Sequence, residues 1–146
     1  MDLPVLIYIA KDGCSACIKY SSEWEKIKTA LNGRARFIKF TFSPPNLLIP
    51  PPLAKYGGWA PSIILAGPKS YFRCYTPNDQ INTDEYADNY TIRGKKFNSV
   101  EADGGYQYAY RPNTADNTIL WFNQVVDDVL NNDEPTPPRR YASKFI

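Results

Sequence analysis

The feature that most constrains this chain is a nearly unbroken apolar run, rich in β-branched residues, from Leu3 to Ala10, followed at once by a change of period. A run with no polar alternation has no solvent face, so it reads as a strand covered on both sides, as in a parallel sheet. Lys11-Asp12-Gly13 breaks it. Beyond the break, Cys17, Tyr20, Trp24, Ile27 and Leu31 recur at intervals of 3, 4, 3 and 4, one face of a helix, and Asn32-Gly33 supplies the stop. Arg36 to Phe42 reads as a second strand, with Ile38, Phe40 and Phe42 on one face. Strand, helix and strand in this order predict a βαβ unit with parallel strands, and so an α/β fold.

The rest of the chain is less regular. Pro44-Pro45 and Pro50-Pro51-Pro52 make a stiff, extended connection, and Leu53 to Tyr56 fits a short helical turn. Ser62 to Ala66 reads as a third strand and Ser70 to Tyr75 as a fourth, joined by Gly67-Pro68-Lys69 as a hairpin. Ile119, Phe122, Val126 and Val129 mark a closing amphipathic helix from Thr114 to Leu130. Between them, residues 76–112 form a polar, Tyr-rich insertion too long for a bare loop, and the alternation Tyr106, Tyr108, Tyr110 predicts an extra hairpin there. The expected division is a domain over residues 1–131 and a Pro-rich tail over 132–146.

Composition excludes more than it suggests. The 146 residues carry a net charge of +2, which is no basic footprint for nucleic acid. There is no histidine, so a Ser-His-Asp triad, a Cys-His pair, a His-ligated metal and a histidine pH switch are all ruled out. No segment approaches the roughly 18 to 20 apolar residues that span a bilayer. Met1-Asp2-Leu3-Pro4 has an acid where a signal peptide wants a base, so a cytoplasmic, reducing location is expected.

Chemistry concentrates at Cys14-Ser15-Ala16-Cys17, where the buried strand gives way to the helix. At a helix N-terminus, free backbone N–H groups and the helix dipole favour an anion, and so favour the thiolate of the first cysteine. Cys17, one turn on, is placed to resolve a mixed disulfide formed on Cys14. A C-x-x-C beside a βαβ unit is a redox signature. It also reads as a merely structural pair. One C-x-x-C plus Cys74 falls short of the four ligands of a zinc or iron–sulfur site, so no metal and no cofactor are expected. Cys74 itself, alone between Arg73 and Tyr75, reads as a small packing residue.

These segments resemble the thioredoxin-fold superfamily. Leu6 to Cys17 is similar to its strand and redox loop. Leu53-Ala54-Lys55-Tyr56-Gly57, followed by Trp59-Ala60-Pro61 and Ser62 to Leu65, is similar to its helix, its cis-proline loop and the strand after it. The resemblance covers residues 3–75 and the closing helix, and implies a βαβ plus ββα core with the Tyr-rich insertion before the last helix. It implies dithiol–disulfide exchange with Cys14 as nucleophile and Cys17 as resolving thiol. Pro61 would be the cis-proline, and Trp59, Ala60 and Pro61 would bind the substrate, protein thiols or disulfides. The chain departs from the family at several places. Gly13 stands for tryptophan, Ala16 for proline and Ile18 for lysine, and Tyr8 occupies the place of a buried aspartate. The pair is therefore expected to cycle with less help in moving the resolving thiol's proton.

Two functions follow as expectations. The first is a thiol–disulfide oxidoreductase. The alternative is a non-enzymatic subunit that uses the same scaffold to bind neighbours through its tail and insertion, such as a minor component of a large virus particle, which would place it in the virion. Access to the Cys14 sulfur discriminates them.

Overall fold

A computed structural model describes residues 3–42, 53, 56, 60–68, 92–96, 99–102, 105–108 and 113–131. The apolar run forms β1 (Val5–Lys11), whose residues Val5 to Ala10 are all buried. Side chains of a strand alternate between faces, and β1 feeds two separate cores in this way. Leu6, Tyr8 and Ala10 enter one cluster; Val5, Ile7 and Ile9 enter the other.

Helix α1 (Ser15–Ala30) follows from the period change, burying Cys17, Tyr20, Trp24 and Ile27 against the first of these clusters. Its C-terminus closes by a hydrogen bond from the Leu31 N–H to the Ile27 carbonyl at 2.9 Å, and Gly33 takes the positive φ of 80° that the turn requires. Strand β2 (Arg36–Phe42) then pairs parallel with β1, from Val5 opposite Arg36 to Lys11 opposite Phe42. Strand β3 (Ser62–Ala66) runs antiparallel on the other side of β1, with Ile7 opposite Ile64.

β4 (Ile92–Lys96), β5 (Ser99–Ala102) and β6 (Gly105–Tyr108) complete a mixed six-stranded sheet of order β2-β1-β3-β4-β5-β6, and β5 and β6 form an antiparallel hairpin. The closing helix α2 (Ala115–Asn131) lies on the same face as α1, because Trp121, Phe122, Val125 and Val129 join the same cluster as Tyr20 and Trp24. The opposite face is covered by Leu53 and Tyr56, both fully buried. No helix among the described residues is long and apolar enough to cross a membrane.

One strand differs from the sequence expectation. The place beside β3 belongs to β4, antiparallel with Ile64 opposite Gly94, and β4 comes from the segment read as an insertion. Ser70 to Tyr75, expected in that place, lies outside the described residues. The reason is physical: Gly67-Pro68-Lys69 is a local turn signal, whereas strand pairing is settled by which segment fits the edge of β3. Ile-Arg-Gly-Lys-Lys has neither the alternation nor the β-branched content that marks a strand in sequence.

Polar contacts join the two helices. Thr114 caps α2, its hydroxyl accepting from the Asn117 N–H at 3.2 Å and its carbonyl from the Thr118 N–H at 3.0 Å. Glu23 of α1 accepts from the Ala115 N–H at 3.4 Å. Tyr20 and Thr118 are hydrogen-bonded through their hydroxyls at 2.8 Å. The Thr118 hydroxyl also donates to the Thr114 carbonyl at 2.8 Å, so Tyr20 is the donor and Thr118 the acceptor. The Thr118 hydroxyl takes part in two hydrogen bonds and the Tyr20 hydroxyl in one, so removing the former costs more. Thr118→Val is therefore expected to lose about 2 kcal/mol and Tyr20→Phe about 1 kcal/mol, with the double variant losing less than the sum. Urea denaturation of the three variants measures this.

Candidate functional site: a cysteine pair at a helix N-terminus

At the end of β1 the chain must turn sharply from the sheet into α1. Gly13 makes the turn with φ of 75°, a conformation that a side chain would strain. The Cys14 N–H then bonds back to the Lys11 carbonyl at 3.3 Å, and Cys14 stands as the N-cap residue in an extended conformation. Its sulfur takes the part that a Ser or Asp oxygen usually plays at a cap. The Cys17 N–H donates to Cys14 Sγ at 3.2 Å, while the Ile18 N–H reaches the Cys14 carbonyl at 3.1 Å. Sulfur thus sits where α1 presents its free N–H groups.

Both cysteines are free thiols, with unequal surroundings. Cys14 is half-buried and Cys17 is 4% exposed. Burial pushes the Cys17 thiol up to about 11, and its hydrogen bond with the Cys14 sulfur pushes the same way. The Lys11 backbone and the Lys39 charge pull back against them. The Cys17 carbonyl accepts two hydroxyls, Tyr8 Oη at 3.1 Å and Ser21 Oγ at 3.2 Å. Tyr8 is itself pushed up to about 12, first by burial and then by the cysteine sulfurs beside it. Its ring packs edge-on to Tyr20 and Trp24, each at 5.2 Å.

The cis-proline loop meets this pair. The Ala60–Pro61 peptide bond is cis, and the Cys14 thiol donates to the Ala60 carbonyl at 3.7 Å, across 46 positions of sequence. Pro61 is buried and Ala60 half-buried. Of the residues singled out from sequence, Cys14, Cys17, Ala60 and Pro61 therefore converge at one end of the sheet. Trp59 and Cys74 lie outside the described residues. Among those described, no group of three or more Cys, Asp or Glu is placed to hold a metal ion.

On the Cys17 side lies an open hollow of about 150 Å³, lined by Tyr8, Cys17, Ile18, Ser21, Lys39 and Thr41 among others. Ile18 stands at its rim, 71% exposed. Lys39 is the member that sequence reasoning missed. It is the register partner of Tyr8 across β1 and β2, and its ammonium lies over the Tyr8 ring at 5.4 Å from the centroid. Only the pairing of two strands brings it there, and no local pattern carries that information.

No protein-family model matches the chain, and a search of curated proteins finds no relative.

Three raised thiol and phenol groups make the fold sensitive to alkali: Cys17, Tyr8 and Tyr20, the last also pushed up by burial. In the fold Cys17 and Tyr8 hold their protons to about 11 and 12, against ordinary values of 9.0 and 10.0. The unfolded chain thus releases protons first, and stability is complete below the ordinary values and falls as pH rises through the folded ones. The thermal midpoint is expected to fall steadily above pH 9.0. In Cys17→Ala combined with Tyr8→Phe it should fall less steeply; equal slopes would show that these groups do not govern it.

Proposed function

We propose that the chain is a thioredoxin-like thiol–disulfide oxidoreductase acting on protein thiols or disulfides. The observation that carries this reading is the convergence at Cys14 Sγ of an N-terminal helix cap and the Ala60 carbonyl beside a cis-proline. The placement of the elements supports it too: βαβ leads into antiparallel β3 and β4, and both helices lie on one face with Leu53 and Tyr56 on the other.

The chemistry follows from these positions. The Cys14 thiolate, held by the Cys17 N–H, attacks one sulfur of a substrate disulfide. A Cys14–substrate disulfide forms, and the other substrate sulfur leaves as a thiolate and takes up a proton. Cys17 then loses its proton and attacks Cys14 Sγ, forming the Cys14–Cys17 disulfide and releasing the second substrate sulfur as a thiol. The substrate is reduced by two electrons and the pair is oxidised by two. The Ala60 backbone offers a strand-like edge on which the substrate's chain docks beside Cys14.

Cys14 is half-buried, which leaves its sulfur the access that exchange requires.

Cys14→Ser is expected to abolish reduction of a protein disulfide, because no other described sulfur lies at a helix cap. Cys17→Ser should instead accumulate a mixed disulfide on Cys14, visible as an added mass that a reductant removes. Undiminished turnover in Cys14→Ser would end the proposal.

A further inference from the structure

We propose that Ile18 is a specificity-determining residue for the exchange, seating a bulky apolar side chain that neighbours the substrate's disulfide. This rests on the exchange reading above and narrows its substrates to protein or peptide disulfides flanked by large apolar residues.

The first turn of α1 leaves an apolar contact unmade. A helix start is often closed by an apolar residue at its fourth position, packed against another just before the cap. With Cys14 as the cap, these two places fall to Ile18 and Gly13. Gly13 has no side chain to offer, and a carbon attached to it would meet nothing within 4 Å. Its φ of 75° keeps the place for glycine. Ile18 therefore lacks its usual partner and stands more exposed than any other large apolar side chain among the described residues.

This gap lies beside the reacting sulfur. Residues four apart share a helix face, and helical side chains lean toward the N-terminus, so Ile18 leans toward Cys14. The Ile18 N–H bonds to the Cys14 carbonyl at 3.1 Å, which fixes the two residues one turn apart. Gly13, Cys17 and Ile18 line the same open hollow of about 150 Å³.

Tethering decides what fills it. Once a substrate is joined to Cys14 by a mixed disulfide, the residues next to its cysteine are held within a few bonds of this hollow. A large apolar side chain there covers Ile18 and takes both surfaces out of water. A glycine leaves Ile18 wet. The charged members of the hollow, Lys11, Asp12 and Lys39, are of both signs and exposed, so water screens them. A charged neighbour gains little from them and covers less apolar surface. The exchange itself is unaltered: Cys14 remains the attacking sulfur, and Ile18 exchanges no atom.

The test uses the full chain, reduced and in excess, and short peptides each closed by one disulfide. The residue beside both peptide cysteines is leucine, glycine, glutamate or lysine, and loss of the closed peptide is followed by mass. Each rate is divided by that of a small dithiol on the same peptide, which removes differences between the peptides themselves. Wild type is expected to reduce the leucine peptide about threefold to tenfold faster than the glycine peptide. The glutamate and lysine peptides should run close to the glycine peptide. In Ile18→Ser the ratio of leucine to glycine rates should fall to about one, and Ile18→Leu should keep it. Equal rates for the leucine and glycine peptides in wild type would overturn the proposal. So would a leucine preference that survives intact in Ile18→Ser, or a glutamate or lysine peptide reduced as fast as the leucine one. The disulfide of 2-mercaptoethanol, which has no neighbouring side chain, separates the two failures. A wild-type protein that leaves it and every peptide intact refutes the exchange reading itself, and this proposal falls with it.

Discussion

Everything in this structure depends on the burial of β1 on both faces. Six consecutive residues, Val5 to Ala10, are buried, and their alternation supplies two cores at once. Burying a strand in this way requires a hydrogen-bonded neighbour on each edge and a layer on each face. β2 and β3 provide the edges; α1 and α2 cover one face, and Leu53 and Tyr56 the other. Each apolar side chain removed from water contributes about 1.5–3 kcal/mol, so the strand is the largest single source of cohesion in the described sheet.

The same strand determines where the cysteine pair stands. A fully buried β1 is held in register along its whole length, so the point at which it ends is fixed relative to β2 and β3. Gly13 turns the chain there, and Cys14 becomes a helix cap at the end of a rigid element rather than in a mobile loop. Ala60 arrives at the same end because β3 begins beside it and pairs antiparallel with β1, Ile9 opposite Ser62. The contact between Cys14 and the Ala60 carbonyl is thus a consequence of strand pairing.

Within the site the two sulfurs are differentiated by environment. Cys14 sits half-exposed at the donor end of α1, whereas Cys17 is buried one turn on, against Tyr8 and the hollow that holds Lys39. Such an arrangement sets the two thiols apart: one reaches the surface, and the other is buried and holds its proton up to about 11. The Tyr8 phenol lies beside Cys17, and the Lys39 ammonium lies over its ring from across the β1–β2 pair.

Much of this was legible in the chain itself. The strand Val5–Lys11, the helix Ser15–Ala30 and the closing helix Ala115–Asn131 follow from local periodicity, because one face of each must meet the core. The cysteine pair at the strand–helix junction is legible for the same reason, since cap, turn and spacing all lie within a few residues of one another. What the sequence could not determine is pairing across distance. That β4 rather than Ser70 to Tyr75 stands beside β3, that Lys39 faces Tyr8, and that the Ala60 carbonyl lies 3.7 Å from the Cys14 sulfur are outcomes of strand register. Register is set by the simultaneous fit of side chains from segments far apart in sequence, and only the folded sheet decides it.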